Sequence, residues 1–425
     1  MAQSPTIFVA RRWPDMATIT ACRGCGGNDL QIFLDLGETP LADALVEKSA
    51  LNSNEEYFPL KVAFCERCSL VQITEDVDPE KLFVDNYLYF SSFSDHLLKH
   101  SRNHALGLIE SRKLDSSSLV VEIASNDGYL LKNFVDNDIP VLGLDPAPDQ
   151  AKKANEIGVR TESEFFTLDK AKQLRVDYGP ANVIIANNVM AHIPDLNDFV
   201  AGMGHLLSDD GVITVENPTV GELIKRCAFD TIYHEHYFYH SCLSVDTLAR
   251  RHGLFLNDVE MYSDLHGGTN RWWIGKTEKP TERLLKTLEQ ERAIGMDKFE
   301  FYENFGTKVS ELKVSLLSII NDLVSQGRTV AAYGAAAKGA TMLNVMGITD
   351  QLVPYVVDRN TYKQGRYMPG THQLIKDPEI LSTTERPDVL LILAWNFAEE
   401  IMSQQSEFAK SGGQFLVPVP TPELI

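Results

Sequence analysis

Long apolar runs are missing from this sequence of 425 residues. None approaches the ~18 consecutive apolar residues of a membrane-spanning helix, and Val389 to Trp395 is short enough to read as a buried strand. The N-terminal MAQSPTIFVARRWPD has two arginines but no apolar h-region and no small-residue cleavage site, so no secretion signal is expected. Positive charge is scarce: 39 Lys and Arg stand against 59 Asp and Glu, a net charge of −20. Such a chain repels phosphate backbones, and no basic patch offsets this, so no nucleic-acid partner is expected. Cysteine is sparse, with six residues of which four form two pairs. That is too few for a disulfide scaffold and points to a reducing compartment, the cytoplasm by default. Short-period repeats and low-complexity tracts are absent. The composition, 44% apolar and 23% charged, is that of a globular protein, and the length implies two or three domains.

Three blocks follow one another. Residues 1–85 hold short, broken elements, with Gly, Pro and Asn clusters around the apolar patches QIFLDLG and KVAF. In residues 86–280 the apolar runs SLVVEIASNDG, PVLGLDPAP, ANVIIANNV and GVITVENP end in turn residues and are separated by helical segments. This alternation predicts a doubly wound parallel sheet, because strands covered on both faces read as continuous apolar runs. Residues 281–425 open with charged helical sequence, pass through KVSELKVSLLSIINDLVSQG, and continue with RTVAAYGAAAKGA, LVPYVVDRN and DVLLILAWN. A second, smaller α/β domain is expected there. The fold class is α/β.

Cys22-Arg-Gly-Cys25 and Cys65-Glu-Arg-Cys68 are two CxxC knuckles. Four thiolates from two such turns close a tetrahedron on zinc. The gap between them exceeds the ~15–20 residues of a compact ribbon, so a small subdomain should fill it. Unrelated pairs of buried cysteines, or a redox pair, are the alternatives. The duplication favours a structural zinc held by Cys22, Cys25, Cys65 and Cys68, with Cys227 and Cys242 as core residues.

The segment VVEIASNDGYLL puts Glu122 at a strand end, followed by a turn to Gly128 and a helix. Backbone N–H groups of such a turn reach a ligand at the carboxyl edge of a sheet. Asp145 closes the next strand, about 20 residues on, where an acid takes both ribose hydroxyls. Dinucleotide folds and S-adenosylmethionine methyltransferases share this layout. The turn is not GxGxxG, since Ala124, Asn126 and Gly128 hold its glycine positions, which makes a poor pyrophosphate cradle. ANVIIANNVMAHIPDL, with Asn187 and Asn188 at its strand end, resembles the fourth methyltransferase segment, which faces the methionine part. We therefore place Ala124, Asn126, Gly128, Asp145, Asn187 and Asn188 at the methyl donor, with a bland α/β turn as the alternative.

FDTIYHEHYFYHS packs Tyr233, His234, Glu235, His236, Tyr239 and His240 together. Fold stability does not call for so many titratable groups. His and Glu exchange protons near neutral pH, and Tyr donates to an oxyanion. A solvated polar surface is the competing reading. NYLYFSSFS, with Tyr87 and Tyr89, and LHGGTNRWW, with His266 and Arg271, belong beside the cluster, as does His192 just past the donor strand.

Taken together these segments resemble the three-domain, S-adenosylmethionine-dependent sugar C-methyltransferases of deoxysugar pathways, the tetronitrose type among them. The resemblance runs from CRGCGGNDLQIFLDLGETPLAD and FCERCSLVQITEDV through YLYFSS, EIASNDGYLL, HIPDL, YHEHYF, HGGTNR and YGAAAKGATMLN to LAWNFAEEI. It implies a zinc-binding N-terminal domain (1–85), a Rossmann-like methyl-donor domain (86–280) and a Rossmann-like nucleotide-sugar domain (281–425). It also implies a nucleotide-linked 4-keto-6-deoxy sugar as substrate, methylated at carbon 3. The family's active-site residues fall on Tyr89, His192, Tyr233, Glu235 and His236, and Arg271, Lys338 and Asn396 are expected at the substrate. Two positions depart from the pattern: Ala124 stands where relatives carry Gly, and His234 where they carry Asp or Asn.

The chemistry implied is enolate formation. A ketone at carbon 4 acidifies the carbon 3 proton, which His236 removes, with Glu235 orienting the histidine. Tyr233 or His192 stabilises the enolate oxygen, and the carbon attacks the sulfonium methyl in line. The small-residue loop before Lys338 suits a diphosphate. An NAD(P)H-dependent ketosugar reductase, using Asp358, is the runner-up, alone or combined with methylation. A non-enzymatic scaffold is the third reading.

Overall fold

A computed structural model describes residues 18–77, 90–93, 95–263, 265 and 267–425. Its strands form three sheets. The first has the order β1 (Leu30–Thr39), β2 (Phe58–Cys65), β3 (Val71–Ile73) and β9 (Phe238–Tyr239), paired antiparallel throughout. β9 arrives from the polar cluster far along the chain, with Val71 opposite Tyr239 and Gln72 opposite Phe238. The cluster that the sequence assigns to the central block thus completes the N-terminal sheet.

The second sheet has seven strands, in the order β10 (Phe255–Tyr262), β11 (Thr269–Gly275), β8 (Leu207–Pro218), β7 (Ala181–Asn187), β4 (Val120–Ile123), β5 (Val141–Leu144) and β6 (Thr161–Glu162). β4 to β8 are parallel, and β11 runs antiparallel to β8 and to β10. All four residues of β4 are buried, as helices on both faces require. The strand order reverses between β4 and β7, and an open α/β sheet binds ligands beyond the carboxyl ends of its strands at that point.

The third sheet has the order β14 (Leu374–Lys376), β13 (Tyr355–Val357), β12 (Val330–Tyr333), β15 (Val389–Ile392), β16 (Gln414–Val417) and β17 (Glu423–Leu424). It is parallel except for β17 and reverses between β12 and β15, both wholly buried. The helix Phe305–Ser325 buries Phe305, Val309, Leu312, Leu316, Ile320 and Leu323, one stripe at helical spacing. That helix touches both β1 and β12. Just before it, Tyr302 stacks on Phe64 at 4.7 Å. A single apolar core therefore continues from the first sheet through the second into the third. Among the described residues, no helix is long and apolar enough to cross a membrane.

Candidate active site

One cleft of about 1030 Å³ opens where all three sheets meet. Asp43 and Glu47 line it from the first unit, Asp145, Asn188 and His236 from the second, and Lys338, Lys363 and Trp395 from the third. That volume lies at the upper end for a single small-molecule site and accommodates two ligands side by side.

The loop after β4 has an unusual backbone. Ala124, Asn126 and Gly128 all have positive φ, at 56°, 49° and 79°. The loop keeps a glycine-rich shape with one glycine, Asn being the non-Gly residue that best tolerates this region. Ala124, Asn126, Asp145, Asn187 and Asn188 line the cleft. Gly128 does not; a Cβ there would lie 3.0 Å from Val159 and 3.2 Å from Ala154, so this glycine allows the loop to pack on its neighbours. Asp145 accepts from the N–H of Asn126 at 2.8 Å and of Ala147 at 2.9 Å. Burial nevertheless raises its carboxyl to about 6. Glu122, at the end of β4, is fully buried with both oxygens unpartnered, and burial beside Asp145 and Asp127 pushes its carboxyl far up.

Two histidines also line the cleft. His236 Nδ1 lies 2.9 Å from the Thr231 carbonyl, so Nδ1–H donates and Nε2 is the acceptor, 3.0 Å from the Tyr233 hydroxyl. Tyr233 stacks on the His236 ring at 4.2 Å. His192 packs edge-on to the same ring at 4.6 Å, with its Nδ1 2.7 Å from the Glu235 carbonyl. Burial lowers His192 to about 4, so the ring is neutral with an acceptor at Nε2. A neutral ring in that tautomer cannot donate to an oxyanion, which corrects the role expected for His192. The carboxyl of Glu235 does not orient His236 either. It accepts from the Asp43 N–H at 3.4 Å, leaves Oε2 buried and unpartnered, and is pushed well above the ordinary carboxyl range by burial and by Asp43.

His234 turns away from the cleft. Its Nε2 meets the Pro59 carbonyl at 2.9 Å and its ring meets Phe58, so the residue ties the segment to the first sheet.

Arg271 is also outside the cleft, contrary to expectation. It is 4% exposed and bonded to Glu216, to Glu260 at 3.0 Å and to His100 at 3.0 Å. Its charge is neutralised within the central sheet, because β8, β10 and β11 bring both acids to its guanidinium. Lys338 lines the cleft, half-buried, donating to Asn396 Oδ1 at 2.7 Å and lying 4.7 Å over the Trp395 ring. Trp395 Nε1 in turn donates to the buried Asp230 at 2.7 Å. Asn396 does not line the cleft and acts on Lys338. Tyr87, Tyr89 and His266 lie outside the described residues. The sequence reading missed Asp43, Glu47, Lys363 and Arg366. The cations of TYKQGRYMPG were the available signal for the last two.

Away from the cleft, the sulfur atoms of Cys22, Cys25, Cys65 and Cys68 lie within 4.8 Å of one another, with the pairs Cys22–Cys68 and Cys25–Cys65 at 3.6 Å. A tetrahedron with zinc–sulfur bonds of ~2.3 Å has edges of about 3.8 Å, so the four thiolates fit zinc. The Gly27 N–H and the Gln72 side chain donate to Cys25 and Cys22 at 3.4 and 3.1 Å, the outer partners a thiolate site requires. Gln72 Oε1 also takes the Arg23 N–H at 3.0 Å.

Comparison with known proteins adds three family matches: a zinc binding domain at residues 22–83, a methyltransferase domain at 93–257 and a C-methyltransferase C-terminal domain at 264–420. C-methyltransferase NovU of Streptomyces niveus is 34% identical over 410 residues, covering 96% of this chain and 97% of that protein. Among solved structures, the magnesium protoporphyrin IX methyltransferase of Synechocystis with bound SAH is 11% identical, covering 42% of this chain and 83% of that one at a TM-score of 0.34. The CcbJ methyltransferase of Streptomyces caelestis is 14% identical, covering 43% and 90% at 0.32.

Proposed function

This chain belongs to the S-adenosylmethionine-dependent C-methyltransferases that carry an N-terminal zinc-binding domain, and on that premise we propose that it methylates carbon 3 of a nucleotide-linked 4-keto-6-deoxy sugar. The observation that carries the reading is the fixed tautomer of His236. Its Nε2 is an acceptor beside a hydroxyl donor, in the same cleft as the loop after β4. Oxygen or nitrogen methylation needs little more than an oriented nucleophile, whereas carbon methylation first needs a proton removed from carbon. A ketone next to that carbon makes the removal feasible, and an imidazole takes the proton.

His236 accepts the carbon 3 proton at Nε2 while Thr231 holds Nδ1–H and stabilises the imidazolium. The Tyr233 hydroxyl, released from Nε2, donates to the oxygen on carbon 4. The Glu235 carboxyl, kept protonated by its burial, is a second donor for that oxygen. S-adenosylmethionine supplies an electrophilic methyl group, and Asn126, Asp145, Asn187 and Asn188 would hold it on the donor side. Asp358, the acid of the reductase reading, does not line the cleft. Its two oxygens accept the N–H groups of Ala335 at 2.7 Å and Asn360 at 2.8 Å, closing the loop after β12.

The test is product analysis. With methyl-labelled S-adenosylmethionine and nucleotide-linked 4-keto-6-deoxy sugars carrying a hydroxyl or an amino group at carbon 3, the label should appear on that carbon by NMR. Label on oxygen, on nitrogen or on another carbon would refute the proposal.

Asp145 makes the donor site pH-dependent. Each carboxylate oxygen retains a lone pair for a ribose hydroxyl, and the ionised form is the one that accepts two such bonds. Because burial holds the free carboxyl near 6, ligand binding must drive off a proton below that pH. S-adenosylhomocysteine affinity should therefore fall as pH drops through 6 and level off above 7. The sign for stability is opposite: a raised folded-state value stabilises the ligand-free fold at low pH and is lost as pH rises through 6. Asp145→Asn should weaken binding about 10- to 100-fold and flatten the pH profile, as calorimetry across pH 5–8 would read. An unchanged slope in the variant would assign the titration to another group.

A further inference from the structure

Charge is segregated across the cleft. Every Asp and Glu among its lining residues comes from the first two units, Asp43, Glu47, Asp195 and Asp198 among them, whereas every Lys and Arg, namely Lys338, Lys363 and Arg366, comes from the third. An anionic ligand is repelled by one wall and drawn to the other. The three cations differ in what they already touch. Lys338 is already engaged, donating to Asn396 and lying over the Trp395 ring. Lys363 donates to a neutral group, the Ala335 carbonyl, at 2.7 Å, which leaves two of its ammonium protons and its whole charge for a ligand. Arg366 pairs across the cleft with Glu47 of the N-terminal unit at 3.1 Å, an ion pair in which Glu47 is 58% exposed.

Lys363 and Arg366 occupy one turn, in which the Arg366 N–H meets the Lys363 carbonyl at 3.2 Å. The turn is stiff. Gly365 and Arg366 exchange backbone hydrogen bonds with Ile375, and Tyr367 exchanges two, both 2.9 Å, with Val46. The cations are therefore preorganised, and the Lys363 ammonium is tied to the loop that opens the helix Ala337–Met346.

We propose that Lys363 and Arg366 grip the diphosphate of the nucleotide-linked substrate, and that Glu47 is a stand-in anion which the diphosphate displaces from Arg366. This rests on the reading of the substrate as a nucleotide diphosphate sugar and names the residues that hold its charge. Lys338 stays below, fixed by Trp395 and Asn396. A guanidinium presents a planar fork of donors that matches phosphate oxygens, and an exposed carboxylate is a weak competitor for it. The exchange frees only the Glu47 carboxylate, since the backbone beside it stays bonded to Tyr367 through Val46.

The experiment is calorimetry on the zinc-loaded, full-length protein saturated with S-adenosylhomocysteine. The probes are thymidine, uridine, guanosine and cytidine diphosphates and inorganic pyrophosphate. The wild type should bind at least one nucleoside diphosphate, and pyrophosphate more weakly. Lys363→Met and Arg366→Gln should each weaken that binding about 10- to 100-fold, the scale of a lost hydrogen bond to a charge. Glu47→Gln should tighten it severalfold, because the competitor is gone. Zinc content and S-adenosylhomocysteine affinity, measured in parallel, should not change in any variant. If Lys363→Met and Arg366→Gln bind as tightly as wild type, the anion sits elsewhere and this subsite is wrong while the substrate reading stands. Weaker binding by Glu47→Gln would overturn the displacement. If wild type binds none of the diphosphates yet methylates a ketosugar, the nucleotide-linked reading itself fails.

Discussion

Replacing His236 by asparagine is expected to stop proton exchange at carbon 3 and methyl transfer together, with both ligands still bound. Asparagine keeps a donor for the Thr231 carbonyl, which His236 meets at 2.9 Å, but offers no basic nitrogen toward the cleft. Exchange can be watched alone: a nucleotide-linked 4-keto-6-deoxy sugar in deuterated water should lose its carbon 3 proton without S-adenosylmethionine. Loss of a general base costs about 10²–10⁴ in rate. Tyr233→Phe should cost less, since the protonated Glu235 carboxyl remains as a donor. The two variants should separate further in pH profile, because only the histidine change removes the group that must be unprotonated. Exchange at the wild-type rate in His236→Asn would remove it as the base. His192 is a poor replacement, as burial holds its ring at about 4 and its tautomer is set by the Glu235 carbonyl.

Removing zinc should silence the enzyme even though no thiolate comes near the cleft. β9 carries Phe238 and Tyr239, two and three residues after His236, and its only described strand partner is β3 of the zinc-binding unit. The link is short. Gln72 donates to Cys22 Sγ, and its own backbone stands opposite Phe238. Arg23, inside the first knuckle, donates to the Ile73 and Glu75 carbonyls at 3.1 and 2.8 Å and lies 5.2 Å over the Tyr237 ring. Binding free energy of structural zinc is folding free energy, about 10–16 kcal/mol in zinc-finger peptides, so its loss should melt the first sheet. Cys65→Ser or Cys68→Ser should lose the metal and at least tenfold in kcat. Hydrogen exchange should show the Ile73 amide, which donates to the Tyr237 carbonyl at 3.0 Å, becoming unprotected. S-adenosylhomocysteine binding, which uses the second sheet, should survive. A zinc-free variant with full turnover would show that the first sheet holds β9 without the metal.

The residues themselves determined whatever depends on short spacing. CxxC knuckles bring two thiolates together within one turn, so Cys22, Cys25, Cys65 and Cys68 were legible before any tertiary contact was known. Apolar runs ending in turn residues marked β4, β5, β7, β8, β12 and β15, because a strand covered on both faces leaves no room for polar alternation. The turn after β4 and the place of Asp145 just beyond β5 were legible too, because each follows the end of an apolar run. Tertiary structure alone decided which polar groups of the FDTIYHEHYFYHS segment face the cleft and in which protonation state. The partners that set this are backbone carbonyls, of Thr231 for His236, of Glu235 for His192 and of Pro59 for His234, and a carbonyl is the same in every residue. The fate of Arg271 was equally hidden, since Glu216 and Glu260 reach it only through the antiparallel register of β8, β11 and β10. So was the pairing of β9 with β3. A pairing between such distant segments leaves no periodicity in either, and only the closed sheet, with its N–H and C=O groups satisfied, selects it.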